Sequence, residues 1–249
     1  MRVVVITGAS SGIGAATAKR LGSRGDAVVL VARRRELLEQ VARESGSHAL
    51  AITADVNDRE EVRRVVREAL AKFGHIDVWI NNAGQGISRM PTQLTDDDVD
   101  AMILANVKTA LYGMQEVLPH FKERGSGQII NISSMLGRLP YALIRSAYTG
   151  SKHFLNALTA MFREEVQQTH PGIQVSLVSP GVVTTDFGLS ARHGGPDSRT
   201  FPNTQTPEQV AAVLESVVES RPPDVYTRQG AKANVDAYYA ALGADAEVP

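Results

Sequence analysis

The chain has 249 residues, no cysteine and a formal net charge of −1 at pH 7. Disulfides, thiolate catalysis and a cysteine-based zinc site are therefore excluded, and the near-zero charge offers no general attraction to nucleic acid or an anionic membrane. The six histidines (His48, His75, His120, His153, His170, His193) lack His-x-x-x-His spacing and read as surface or capping residues, so no metal site is expected.

In chain order, an apolar run at residues 3–6 comes first. It is too short for a signal-peptide core or a membrane span, and no later run is long enough to span, so a cytoplasmic protein is expected. Further runs at 27–31, 49–52, 78–80, 128–132 and 174–178 read as strands. Most lack polar alternation, the pattern of strands covered on both faces. Between them, residues 13–24, 34–44, 59–72, 98–124 and 147–168 place apolar side chains at three- and four-residue steps, the period of amphipathic helices. A last helix is predicted over 208–219, with Thr206 as its N-cap and Pro207 in its first turn.

Strand–helix alternation over this length predicts one α/β domain: a doubly wound parallel sheet of the Rossmann type, with helices on both faces and right-handed crossovers. Residues 187–205, FGLSARHGGPDSRTFPNTQ, have no helical or strand period. A loop this long inside a compact domain is expected to be a substrate lid, the alternative being a surface insertion. Residues 245–249 are expected to fray.

The opening VVVITGASSGIGAATAKRLGSRG puts a strand, a glycine-rich turn and a helix in succession. That arrangement aims backbone N–H groups and a helix N-terminus at a pyrophosphate. Gly8 would permit the tight turn, Gly12 the close approach of a dinucleotide, and Gly14 the packing of the helix on the sheet. The Gly-Lys-Ser/Thr of a P-loop is missing. The second strand ends VLVARRREL. A carboxylate there would hold the ribose 2′-hydroxyl of NAD. The position holds Ala32, followed by Arg33, Arg34 and Arg35. Guanidinium groups match phosphate geometry, so a 2′-phosphate, and hence NADP, is expected, with Arg33 and Arg34 as its ligands. A solvated helix start is the alternative, although cations there oppose the helix dipole.

In AYTGSKHF, Tyr148 and Lys152 share a helix face. An ammonium beside a phenol favours phenolate, lowers its pKa from about 10 and makes Tyr148 a usable acid near neutral pH. The alternative is a half-buried tyrosine over a lysine stem.

With TGASSGIG, NNAG, NISS, YTGSK and SPG in this order, the chain resembles the short-chain dehydrogenase/reductase family along essentially its whole length. The resemblance implies that Gly8, Ser10, Ser11, Gly12, Ile13 and Gly14 line the cofactor. It implies that Asp55 and Val56, in ADVND, hold the adenine, and that Asn81, Ala83 and Gly84 shape the cofactor floor. Asn106, in LANVKTA, becomes the helix-breaking asparagine that holds a water in a proton relay. Ser134 hydrogen-bonds the substrate carbonyl. It stands fourteen residues before Tyr148, one more than is usual in the family, and Ser133 remains the alternative. By the same resemblance, Tyr148 would exchange a proton with the substrate oxygen, while Lys152 would lower its pKa and bind the nicotinamide ribose. Pro180, Gly181, Val183 and Thr185 surround the carboxamide, with Thr184 the less favoured partner.

The activity so implied is hydride transfer between NADPH and a small-molecule carbonyl or alcohol, with reduction favoured. Met135, Leu136, Leu139, Tyr141, Leu143 and Ile144 suggest an apolar pocket wall and hence an apolar ketone or aldehyde, unless they pack against the core or a second subunit. A homodimer or homotetramer is expected from the same resemblance. Two alternatives stand beside this reading. A catalytically idle NADP-binding regulator on the same fold would need the glycine turn but not Asn106, Ser134, Tyr148 and Lys152. A scaffold protein would need neither.

Overall fold

The apolar runs assemble side by side into a seven-stranded, all-parallel sheet in the order β3-β2-β1-β4-β5-β6-β7. The structure is a computed structural model and describes residues 1–243; the expected fraying of 245–249 lies outside the described residues. The strands are β1 (Val3–Thr7), β2 (Ala27–Ala32), β3 (Ala49–Thr53), β4 (Val78–Asn81), β5 (Gly127–Ile132), β6 (Ile173–Ser179) and β7 (Asp224–Tyr226). The helices are α1 (Gly12–Ser23), α2 (Arg35–Glu44), α3 (Arg59–Phe73), α4 (Asp96–Ile103), α5 (Thr109–Arg124), α6 (Ser146–Thr169), α7 (Pro207–Ser220) and α8 (Ala231–Ala240).

Successive residues of a strand point to opposite faces, and both faces are covered. Val3, Val5, Trp79, Ile129 and Val175 pack with Val62 and Val65 of α3, Val117 and Phe121 of α5 and Phe162 of α6. Val4, Ile6, Ile80, Ile130 and Val178 pack on the other face with Leu21 of α1, Leu38 of α2 and Leu214 of α7. This is the doubly wound architecture that the alternation predicts. The chain reverses its direction of travel across the sheet between β1 and β4, and at such a switch point the loops beyond the strand C-termini open a crevice.

Thr206 caps α7 as expected, in a reciprocal capping box with Gln209, and Pro207 is the first helical residue. Three expectations need correction. Residues 98–124 are not one helix: α4 begins at Asp96, and a wide π turn, Leu104–Lys108, separates it from α5. The edge strand β7 and the helix α8 are additions to the predicted elements. Among the described residues, no helix is long and apolar enough to cross a membrane.

Candidate active site

The glycine turn leaves β1 at the switch point. Gly8 has φ +66°, and a side chain there would start 2.9 Å from the Ala83 Cα. A side chain on Gly14 would start 2.5 Å from the Gly8 carbonyl oxygen, so only glycine lets α1 begin so close to β1. Ser11 sits at the N-cap of α1 without a side-chain cap, and the first turn holds no acidic residue. Its free N–H groups and positive dipole end suit an anion. Across the turn, the Arg34 guanidinium donates to the hydroxyls of Ser10 (3.0 Å) and Ser11 (2.7 Å). Arg33 points away and is exposed, with Asp55 3.9 Å from it. The two candidate arginines thus part company: Arg34 borders the turn and Arg33 borders the expected adenine position. Asp55 also accepts from the backbone and side-chain amides of Asn57. Ile13 and Val56 are partly buried against the two halves of the core.

The NNAG segment after β4 divides its labour. The Asn81 side chain is buried, accepting from Trp79 Nε1 and donating to the Ala110 carbonyl and to Asn131 Oδ1. These side-chain bonds knit the sheet to α5. The next residue, Asn82, does what the motif alone did not assign: its Nδ2 donates to the carbonyls of Thr7 (2.9 Å) and Gly8 (3.2 Å), clamping the glycine turn. Thr7 Oγ1 in turn accepts from the amides of Asn82 and Ala83.

Four side chains converge beyond β4 and β5. Asn106 lies in the π turn, a helix irregularity frequent at functional sites. It is buried, donates to the Gln85 carbonyl (2.9 Å) and accepts from the Gln85 amide (3.1 Å). A side chain on Gly84 would start 2.8 Å from Asn106 Oδ1 and 3.7 Å from Lys152 Nζ, so this glycine keeps Asn106 and Lys152 on one common wall. Lys152 is buried and donates to the Ile132 carbonyl at 2.9 Å. Of the two serines, Ser133 is buried and donates to Asn156, whereas the Ser134 hydroxyl faces the Tyr148 phenol and accepts from the Leu136 amide.

The electrostatics correct one expectation. Lys152 does not bring the Tyr148 phenol down toward neutrality. Burial pushes that phenol up to about 12, against the opposing pull of the Ser134 hydroxyl and of Arg145, one helical turn upstream. Burial likewise pushes Lys152 down to about 8. Its ammonium stands over the Tyr148 ring, 5.8 Å from the ring centroid.

The segment after β6 closes over this centre. The Pro180 carbonyl accepts from the Met135 amide, and Arg228 fills the space beside Gly181. Val183 is buried and bridges to Gln205, and Thr184 bonds the Gln205 carbonyl. Thr185 reaches the glycine turn, its methyl 3.2 Å from where a side chain on Gly12 would start. Residues 187–205 carry Phe187 edge-on to Tyr148, with ring centroids 5.6 Å apart. The segment is tied down farther along. Arg192 (2.7 Å) and His193 (2.8 Å) both donate to Asp98 Oδ1, and Arg89 donates to its other oxygen (2.7 Å). Asp98 is also the Thr95 capping-box partner, and these donors, His193 foremost, hold its carboxyl well below the usual range. The Thr95-x-x-Asp98 spacing was the one signal in the sequence for this anchor. Of the proposed apolar wall, Leu139 is buried, Met135 and Leu136 are half-buried, and Tyr141, Leu143 and Ile144 are exposed.

Residues 2–194 match the family described as short chain dehydrogenase. An uncharacterized oxidoreductase of Staphylococcus epidermidis is 36% identical over 193 residues, covering 75% of this chain and 83% of its own. Among solved structures, a short chain dehydrogenase/reductase from Burkholderia phymatum in complex with NAD superposes with a TM-score of 0.87 at 22% identity, over 100% of this chain and 98% of that one. A metagenomic short-chain oxidoreductase in complex with NADP gives a TM-score of 0.75 at 34% identity, over 90% and 96% of the two chains. Sequence match and fold agree: the chain belongs to the short-chain dehydrogenase/reductase family.

Proposed function

We propose that the protein is an NADP(H)-dependent oxidoreductase that moves hydride between the nicotinamide and a carbonyl or alcohol, with reduction of an apolar ketone or aldehyde as its working direction. The observation that carries this reading is the meeting of Ser134, Tyr148, Lys152 and Asn106 beyond the C-terminal ends of β4 and β5, beside the glycine turn. A solved relative holds NADP and a structural neighbour holds NAD. The choice of NADP rests on Ala32 in place of an acid and on Arg34 beside the turn. The uncapped start of α1 fits the pyrophosphate, and Thr185 lies where it can reach the nicotinamide side of the cofactor.

The cofactor supplies the hydride. The chain manages the negative charge that grows on the substrate oxygen. Ser134 donates a hydrogen bond to that oxygen and Tyr148 gives it a proton, both held in a dry, preorganised site. Lys152 stands over the Tyr148 ring and is placed to bind the nicotinamide ribose, while the Ser134 hydroxyl and Arg145 favour the phenolate left behind. Asn106 anchors the Gln85 backbone, and with Lys152 it lines the route by which the proton is replaced. Phe187 covers Tyr148 from the lid side, with residues 187–205 closing the site from solvent. The exposed Phe154 and Met161, seven residues apart on one face of α6, support a homodimer or homotetramer.

The test is a titration of the protein with NADPH and NADH by fluorescence, followed by NADPH oxidation against a panel of ketones, aldehydes and quinones. NADPH binding tighter than NADH, with turnover of at least one apolar carbonyl, is expected. Binding without turnover across the panel would indicate an idle regulator, and no binding of either nucleotide a scaffold.

A further inference from the structure

Arg145 stands at the mouth of the same centre, and its charge is not matched. Its Nη1 donates to the Ile87 carbonyl at 2.9 Å, and among the described residues this is the one hydrogen bond its guanidinium makes. A guanidinium has five N–H donors, so most of its capacity is unspent. Among the described residues no carboxylate pairs with it, in contrast to its neighbours Arg89 and Arg192, which share Asp98, and to Arg138, which holds Asp224. Holding an arginine half out of water with no counter-charge is unfavourable, and burial lowers its pKa.

Its surroundings are shaped around the guanidinium. Side chains on Gly86 and Gly195 would each start 2.8 Å from one of its terminal nitrogens, and one on Gly188 would start 3.7 Å away. Any larger residue at the first two positions would displace it. A side chain on Gly195 would also start 2.5 Å from the Gly188 carbonyl oxygen and 2.7 Å from the buried Ser88 hydroxyl, so the Gly195 backbone fills the space between that hydroxyl and the guanidinium. A fork of N–H donors with most of its capacity unspent therefore stands on the lid side of Tyr148. Beside it, Phe187 and Leu136 offer apolar surface.

We propose that Arg145 receives a carboxylate carried by the substrate, so that the preferred substrates are oxo acids with an otherwise apolar body. The proposal rests on the oxidoreductase reading above and narrows it. The carboxylate takes the planar, two-pronged pairing that guanidinium favours, while the ketone oxygen faces Ser134 and Tyr148. Arg145 thereby sets specificity, in addition to its pull on the Tyr148 phenol.

The test uses a matched pair, benzoylformate and its methyl ester, titrated by calorimetry into the protein saturated with NADP⁺, which gives no turnover with a ketone. The acid is expected to bind about tenfold or more tightly than the ester. Arg145→Gln should erase that preference while leaving ester binding unchanged, which also reports that the variant is folded; Arg145→Lys should restore part of it. Equal affinity for acid and ester in the parent protein, equal loss of both in Arg145→Gln, or binding of neither probe overturns the proposal alone. Failure to bind NADP⁺ overturns the oxidoreductase reading and this proposal with it.

Discussion

Lys152 meets Tyr148 across the face of its ring: Nζ lies 5.8 Å from the ring centroid and donates to the Ile132 carbonyl at 2.9 Å. That contact is made to the ring, which a phenylalanine would keep. Tyr148→Phe should therefore preserve folding and NADPH binding while turnover falls by about 10²-fold or more. Lys152→Ala should lower turnover and weaken NADPH together. Single-turnover hydride transfer, measured beside an NADPH titration, separates the two patterns. A Phe variant with near-parental turnover would overturn the assignment of Tyr148.

The same lysine burdens the fold. Its folded pKa of about 8 lies below the ordinary 10.5, so below pH 8 the folded state holds a buried ammonium that the unfolded chain would rather hydrate. Lys152→Met should be more stable at pH 7 by on the order of 3 kcal/mol at most. As pH rises from 8 to 10.5 the unfolded lysine also loses its proton, and the difference should shrink. Tyr148 acts in the opposite sense. Its pKa is raised from 10 to about 12, so it contributes stability below pH 10 that is lost between pH 10 and 12. Urea midpoints measured from pH 7 to 10 check the first trend; a gap that widens with pH would contradict it.

Arg34 and Arg33 should differ in what they do for the nucleotide. Arg34 already stands against Ser10 and Ser11 at the glycine turn, where a phosphate would replace those neutral partners with a charged one. Arg34→Ala should weaken NADPH by roughly tenfold to a hundredfold, with NADH little changed. Arg33→Ala, starting from an exposed side chain, should have a smaller effect. Fluorescence titrations with both nucleotides measure this, and equal losses for NADPH and NADH would refute a 2′-phosphate role.

Asp98 should hold the segment over the site. Asp98→Asn removes the charge shared by Arg89, Arg192 and His193. Amide exchange across residues 187–200 is expected to speed up about tenfold or more, with a raised KM for the carbonyl substrate. Because the carboxyl is held well below its ordinary range, the tie should persist in the parent protein down to and below pH 4 and loosen only in stronger acid. Exchange rates that match the parent in the Asn variant would show that the loop is held elsewhere.

The first six strands are legible in the sequence because each carries an apolar run, and the five inner ones among them are covered on both faces. The strand β7 is not: Asp224–Tyr226 is three residues long, half-exposed and paired on one side, so no run marks it. The helix α8 reads AKANVDAYYA, with little contrast between its faces, and follows the left-handed Gly230. In the candidate site, Tyr148, Lys152, Ser134 and Asn106 stand out through their motifs. Arg145 and Asp98 do not, because their surroundings come from loops at residues 86–89 and 187–195 that no local pattern brings together. The different surroundings of Ser133 and Ser134 likewise come from three dimensions: Asn156, on the next helix, accepts from the first, and the second faces the phenol.

The wide turn at Leu104–Lys108 works as a phase corrector. Asp98, Met102, Asn106, Ala110 and Met114 are all buried and follow one another at intervals of four. In a regular α-helix each such step drifts by about 40°, so the fifth residue would sit about 160° from the first, on the far side of the rod. The surplus residue wound into the π turn absorbs about 100° of that rotation. The two helices and the π turn between them therefore present, along a single inward line, the anchor for the loop, the asparagine of the candidate site and the packing surface for the sheet. Removing a residue from this turn would swing α4 about the axis of α5 and uncouple the first of these from the other two, leaving every individual side chain in place in the sequence.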